Sequence, residues 1–145
     1  MIKQFGPVAK VPNHRVSADS VFKVAFDVAD AGRPGSVNRR LESAARFLNM
    51  HATAGVPAEN LSVAIVVHGA AALDLTTDER YGQANANAPL IKALTDAGVS
   101  IELCGQTAAY REIKPRDLLP GVKMALSAMT AHARLQQNEY TLNPF

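Results

Sequence analysis

The chain has no tryptophan and only one cysteine. The missing tryptophan removes a common anchor for partners. A lone cysteine cannot close an intrachain disulfide, so cysteine usage leaves the redox compartment open and the thiol is expected to be free. No run of about 18 apolar residues occurs, which excludes a membrane-spanning helix. The formal net charge of +2 is small and scattered, whereas nucleic-acid binders carry a basic stripe or cluster, so nucleic acid is not expected as a partner. Arg39-Arg40 is the densest basic pair, and it reads either as a solvated helix face or as an anion site. The phosphate loop GxxxxGK[ST], the dinucleotide fingerprint GxGxxG and the nucleophile elbow GxSxG are all missing. His14, His51 and His132 show no ligand spacing among themselves, and with one cysteine no zinc site is expected.

What is present is a composition able to fold. Of the 145 residues 48% are apolar and 19% charged, enough for one buried core without disulfide or metal staples. Residues 1–20 carry Gly6, Pro7, Pro12 and Asn13 without sustained period and read as an irregular arm; a single domain is expected over 21–145. The opening MIKQFGPVAKVPNHRVSADS has no apolar h-region and is not itself a signal peptide. Met1 standing after a removed export signal stays open, and with it both a cytoplasmic and a periplasmic location of a soluble chain.

VFKVAFDVA (21–29) and LSVAIVVHG (61–69) are short apolar runs of buried-strand length. Between them Val37, Leu41, Ala44, Ala45, Leu48 and Ala52 recur at helical spacing, with Ser36 as the expected N-cap and Gly55-Val56-Pro57 as the stop. A second helix follows with Asn87 as cap, Pro89 in the first turn, an apolar stripe of Leu90, Ile91 and Leu94, and Gly98 at its end. VSIELC (99–104) reads as a third strand. After an irregular stretch, VKMALS (122–127) reads as a fourth, AMTAHARLQQN as a helix and YTL (140–142) as a short fifth strand. Strands alternating with helices predict a three-layer α/β/α sandwich with a mainly parallel five-stranded sheet, in the flavodoxin-like topology class.

Chemistry in such sheets collects beyond the carboxyl ends of the strands. Cys104, His68 with Gly69, and Ser127 all stand at such ends, so one thiol, one imidazole and one hydroxyl converge on a rim if their strands are neighbours. Gly105, Gln106 and Thr107 follow the cysteine directly. A free cysteine is often only a small buried hydrophobe; backbone N–H groups beside Gly105 would instead favour the thiolate. His68 reads either as a hydrogen-bonded structural residue or as a base. Asn38 and Asn49 read as capping or surface groups, as do Asn85 and Asn87.

VVHG, VSIELCGQT, DLLPGVKMALSA and LQQNEYTLNP, in that order and spacing, resemble the DsrE/DsrF-like family of sulfur-relay and related proteins. His68, Cys104, Leu119-Pro120-Gly121-Val122, Gln136-Gln137 and Tyr140 carry the match to its small stand-alone branch. The resemblance implies the same α/β/α sheet, a homotrimer or homohexamer, and Cys104 at the position where relay members carry a persulfide. Glu139 departs from the pattern, which has glycine before the tyrosine.

Two functions of different kinds follow. In one, Cys104 accepts a sulfane sulfur from a protein donor and passes it to an acceptor thiol, with no cofactor and no metal. In the other, the rim of a non-catalytic oligomer holds a small ligand or partner peptide. Assembly has its own signal: Ser100 and Glu102 interrupt the third strand and Lys123 the fourth, where strands covered on both faces read as continuous apolar runs. A subunit contact or a partly solvated sheet face accounts for that alternation, with Glu102 beside Lys123 if the strands pair in parallel.

Overall fold

The computed structural model describes every residue from Met1 to Phe145. Five strands form one sheet in the order β4-β3-β2-β1-β5, with every neighbouring pair parallel. They are β1 (Phe22–Val28), β2 (Leu61–Val67), β3 (Ser100–Cys104), β4 (Val122–Ala125) and β5 (Thr141–Asn143). The central strand β2 is buried from Val63 to Val67, as its unbroken apolar run requires.

One face of the sheet presents Val24, Phe26 and Val28 beside Val63, Ile65, Val67, Ile101 and Leu103. Against it pack α1 (Arg39–Thr53) and α3 (Ala88–Asp96), closing a core of 22 buried residues. Leu41, Ala44 and Ala45 bring α1 onto the strands, and Leu90, Ile91 and Leu94 do so for α3. The opposite face is covered by α5 (Ala128–Gln137), which runs across β2, β3, β4 and β5 and buries little beyond Ala131. The layers are therefore unequal, with a deep core on one side and a single short helix on the other. Glu102 and Lys123 are register partners on the thinly covered side.

Several local features depart from the sequence reading. Asn38, not Ser36, caps α1: its side chain accepts from the Arg40 N–H at 2.9 Å. Its amide also donates to the Asp30 carbonyl and to buried Asp74, which pins the residue where the helix must start. Asn49 is neither a cap nor a surface group. It is buried in α1, accepts from the Ile2 N–H, and donates to the carbonyls of Ile2, Phe5 and Gly6, fastening the first residues of the chain to the helix. Asn85 and Asn87 are buried as well, and Asn87 accepts the Asn38 N–H at 2.7 Å.

The stretch after β3 is not irregular. It holds α4 (Gly105–Tyr110), which starts directly at the strand end. Six residues with Gly105 and Thr107 among them give no periodic signal, because glycine and threonine are weak helix formers and the segment is shorter than two turns. A short helix α2 (Asp78–Tyr81) and a 3-10 segment (Gly69–Leu75) likewise lie between β2 and α3. The fourth strand ends at Ala125, since Leu126 and Ser127 turn the chain toward α5.

Candidate functional site

The helices that follow β3 and β4 part company. α4 carries Ala108 into the core shared with α1 and α3, while α5 crosses the other face. Between two neighbouring strands whose following helices leave on opposite sides, a crevice must open at the carboxyl edge, the usual place for a site in an open α/β sheet. Cys104 stands at that edge, with Ala125 as its register partner on β4.

Gly105 keeps the crevice tight. A Cβ there would lie 2.3 Å from the Ala125 carbonyl oxygen and 3.0 Å from that of Leu126, so only glycine lets the two strand ends approach. The Gln106 side chain ties the same ends together by donating to the Leu126 carbonyl at 3.2 Å.

The Cys104 side chain is buried, with a relative exposure of 6%, and lines the wall of an open cavity of about 590 Å³. Burial pushes its thiol up, but the hydrogen-bonding influence of the Thr107 N–H and hydroxyl and of the N–H groups of Ala128 and Gln106 outweighs the burial and holds the thiol below its ordinary value. Donors aimed at a charged acceptor favour the thiolate. They come from both diverging helices, so the sheet's topology is what gathers them.

The structure brings part of the expected rim set together. His68, Gln106, Thr107 and Ser127 line the same cavity as Cys104. Gly69 adjoins it at a φ of 60° and donates its N–H to the Thr107 hydroxyl at 3.2 Å. Ser127 has a structural task as well, since its hydroxyl accepts from the Thr130 N–H at 3.0 Å and caps α5. Two residues that sequence reading left out also line the cavity, Asp27 at the end of β1 and His132 on α5. Asp27 accepts from the Nε2 of His68 at 3.0 Å and from that of His132 at 2.8 Å. Burial pushes the Asp27 carboxyl up, yet the hydrogen bonds and charge of the two imidazoles hold it below its ordinary value. No group of three histidine, cysteine or acidic side chains is arranged to hold a metal ion. The Arg39-Arg40 pair lies elsewhere, at the start of α1, where Arg40 meets exposed Asp30 at 3.5 Å.

The model of the DsrE/DsrF-like family matches residues 23–144. The chain belongs to this family. Its fold is that of two solved structures. A protein of unknown function from Methanobacterium thermoautotrophicum superposes with a TM-score of 0.67 at 19% identity, over 86% of this chain and 99% of its own. The ychN protein from E. coli does so with a TM-score of 0.66 at 17% identity, over 86% of this chain and 100% of its own. No curated protein matches the chain in sequence. The family match runs from the second residue of β1 to beyond β5, a range that includes Cys104 and the Asp27 cluster.

Proposed function

We propose that the chain is a sulfur carrier in which Cys104 takes up a sulfane sulfur, holds it as a persulfide and passes it to an acceptor thiol. Membership of the DsrE/DsrF-like family supports a sulfur-relay role in general. The observation that carries the specific reading is the placement of Cys104 in the cavity wall beside Gln106, Thr107 and Ala128, whose N–H groups help hold its thiol below the ordinary value. A thiolate is both the attacking group when sulfur arrives and the leaving group when sulfur departs, so its stabilisation serves both halves. The buried thiol is reached through the cavity, whose wall also carries Met129 and Leu142. The donor is a persulfide and the acceptor a thiol, and no cofactor takes part.

The test is incubation with a sulfane-sulfur donor followed by intact mass. A one-sulfur increment that disappears in Cys104→Ser supports the carrier. No increment from any of several donors overturns it in favour of a binding module that uses the same rim.

The carrier acts as a homo-oligomer, a trimer or hexamer. Leu126 and Met129 are 71% and 81% exposed beside the site, and the sheet face bearing Glu102 and Lys123 has only α5 for cover. Apolar surface of that kind is what a subunit contact buries. Sedimentation of the purified chain checks this, and a clean monomer at micromolar concentration would overturn it. No helix is long and apolar enough to cross a membrane.

A further inference from the structure

One carboxylate at the site holds two imidazoles. Asp27 on β1 binds His68 at the end of β2 and His132 on α5, residues 41 and 105 positions away in the chain. An ionised carboxylate can only accept, so the Nε2 of each ring carries hydrogen and each Nδ1 is left without a partner in the protein. Neither imidazole belongs to the set of donors on the Cys104 sulfur. The cavity they share with it is lined by no lysine and no arginine, and Cys104 is its only other ionisable side chain.

Sulfur transfer makes a demand that the sulfur's own donors do not meet. When the Cys104 thiolate attacks the outer sulfur of a hydropersulfide R–S–S–H, a new S–S bond forms and the old one breaks. The hydrogen stays on the transferred sulfur, giving Cys104–S–S–H, and the electron pair departs on R–S⁻. A leaving thiol of high pKa departs slowly, so a proton delivered to an alkyl thiolate speeds its departure, and no fixed cation lines this cavity to help.

We propose that His68 and His132, aligned by Asp27, work as imidazolium and imidazole in turn: a ring carrying hydrogen on both nitrogens delivers its Nδ1 proton to the departing thiolate, and the neutral ring left behind recovers one from the incoming acceptor thiol. In the return half, R′–S–H gives its proton to the imidazole, and R′–S⁻ attacks the outer sulfur of Cys104–S–S–H. The products are R′–S–S–H and the Cys104 thiolate. The sum, R–S–S–H + R′–S–H → R–S–H + R′–S–S–H, consumes no oxidant or reductant and returns every protein group to its starting state. Asp27 is a positioning residue, and the two histidines are the acid and base. This assignment rests on the carrier reading of Cys104 and adds a substrate class to it: alkyl hydropersulfides, whose leaving thiolate needs a proton. Donors with a stable anionic leaving group do not need one.

The experiment compares two donors on the full-length protein, glutathione hydropersulfide and benzenethiosulfonate, the second of which expels a sulfinate that requires no proton. Loading of Cys104 is followed by mass in wild type, in His68→Gln/His132→Gln, and in Asp27→Asn. A glutamine amide can still donate to Asp27, so the double variant keeps the hydrogen-bonded frame and loses only the proton carriers. The ratio of hydropersulfide to thiosulfonate loading rates is expected to fall roughly 100-fold in the double variant, and in the same direction in Asp27→Asn. A ratio equal to the wild type's, whether both rates stay or both collapse, would overturn the proton role while wild-type loading leaves the carrier standing. Wild type that loads from neither donor would overturn the carrier reading and this assignment with it.

Discussion

The Gly69 N–H donates to the Thr107 hydroxyl at 3.2 Å, and that hydroxyl is among the groups that hold the Cys104 thiol below its ordinary value. A hydroxyl that accepts from a backbone donor is polarised to donate more strongly. The end of β2 thereby acts on the thiol at the end of β3 through one side chain. That link ties Gly69, whose positive φ of 60° aims the N–H, to the reactivity of a residue it does not touch.

Thr107→Val tests the link with little change in side-chain volume. Its backbone N–H remains, but the hydroxyl donor is lost, and a hydrogen bond to a charged group contributes about 1.5–3 kcal/mol. The midpoint of cysteine alkylation against pH should move up, with a several-fold slower reaction at neutral pH. An unchanged midpoint would assign the lowered thiol value to the backbone donors alone.

The same hydrogen bonds make stability depend on pH. The folded Cys104 thiol titrates below its ordinary 9.0, so between the two values the unfolded chain holds a proton that the folded chain has released. Stability therefore rises with pH across that window, is fully gained above 9.0, and is lost as pH falls through the folded value. Thermal melts of wild type and Cys104→Ser at pH steps from neutral to alkaline should diverge in that sense. Parallel curves would contradict the lowered value.

How much of this was legible before folding follows from where each signal lies along the chain. β1 and β2 announce themselves as apolar runs, and His68 and Cys104 stand out because each stands at a strand end before glycine, while Ser127 follows the last apolar residues of the fourth run. Asp27 and His132 could not be joined to them by spacing. β1 lies two strands from β3 in the sheet, and α5 crosses the sheet to reach β5, so proximity is created by strand order, which sequence does not display. The one available signal for Asp27 was a lone carboxylate inside a strand whose only other charged residue is Lys23. Asn49 was misread for a related reason: its partners are backbone groups of residues 2, 5 and 6, which have no side-chain pattern to match.

Gly105→Ala should be among the most damaging single changes. The added Cβ would meet the Ala125 carbonyl at 2.3 Å, and backbone on a paired strand cannot step aside as a flexible side chain can. Overpacking of this kind costs roughly 1–3 kcal/mol or more. Chemical denaturation should show that loss, and the alkylation rate of Cys104 should change with it, since prising β3 from β4 separates the donors on α4 from the one on Ala128. Wild-type stability in this variant would show that the crevice can widen freely.

Glu139 offers a substitution in the opposite direction. It follows α5 at a φ of 67°, in the left-handed region where a side chain crowds the backbone and glycine does not. The turn is nonetheless made: the Glu139 N–H bonds to the Gln136 carbonyl at 3.0 Å and the Tyr140 N–H to that of Leu135 at 2.9 Å, leading the chain into β5. The local shape is thus the one glycine would adopt, imposed on glutamate by the surrounding bonds. Glu139→Gly relieves the strain but gives the unfolded chain more freedom, so the gain is the difference of the two effects, about 0.5–1 kcal/mol. A melting temperature raised by a few degrees, with Cys104 alkylation unaltered, is the expected result. A lowered one would mean that the glutamate side chain contributes more to the turn than its backbone strain takes away.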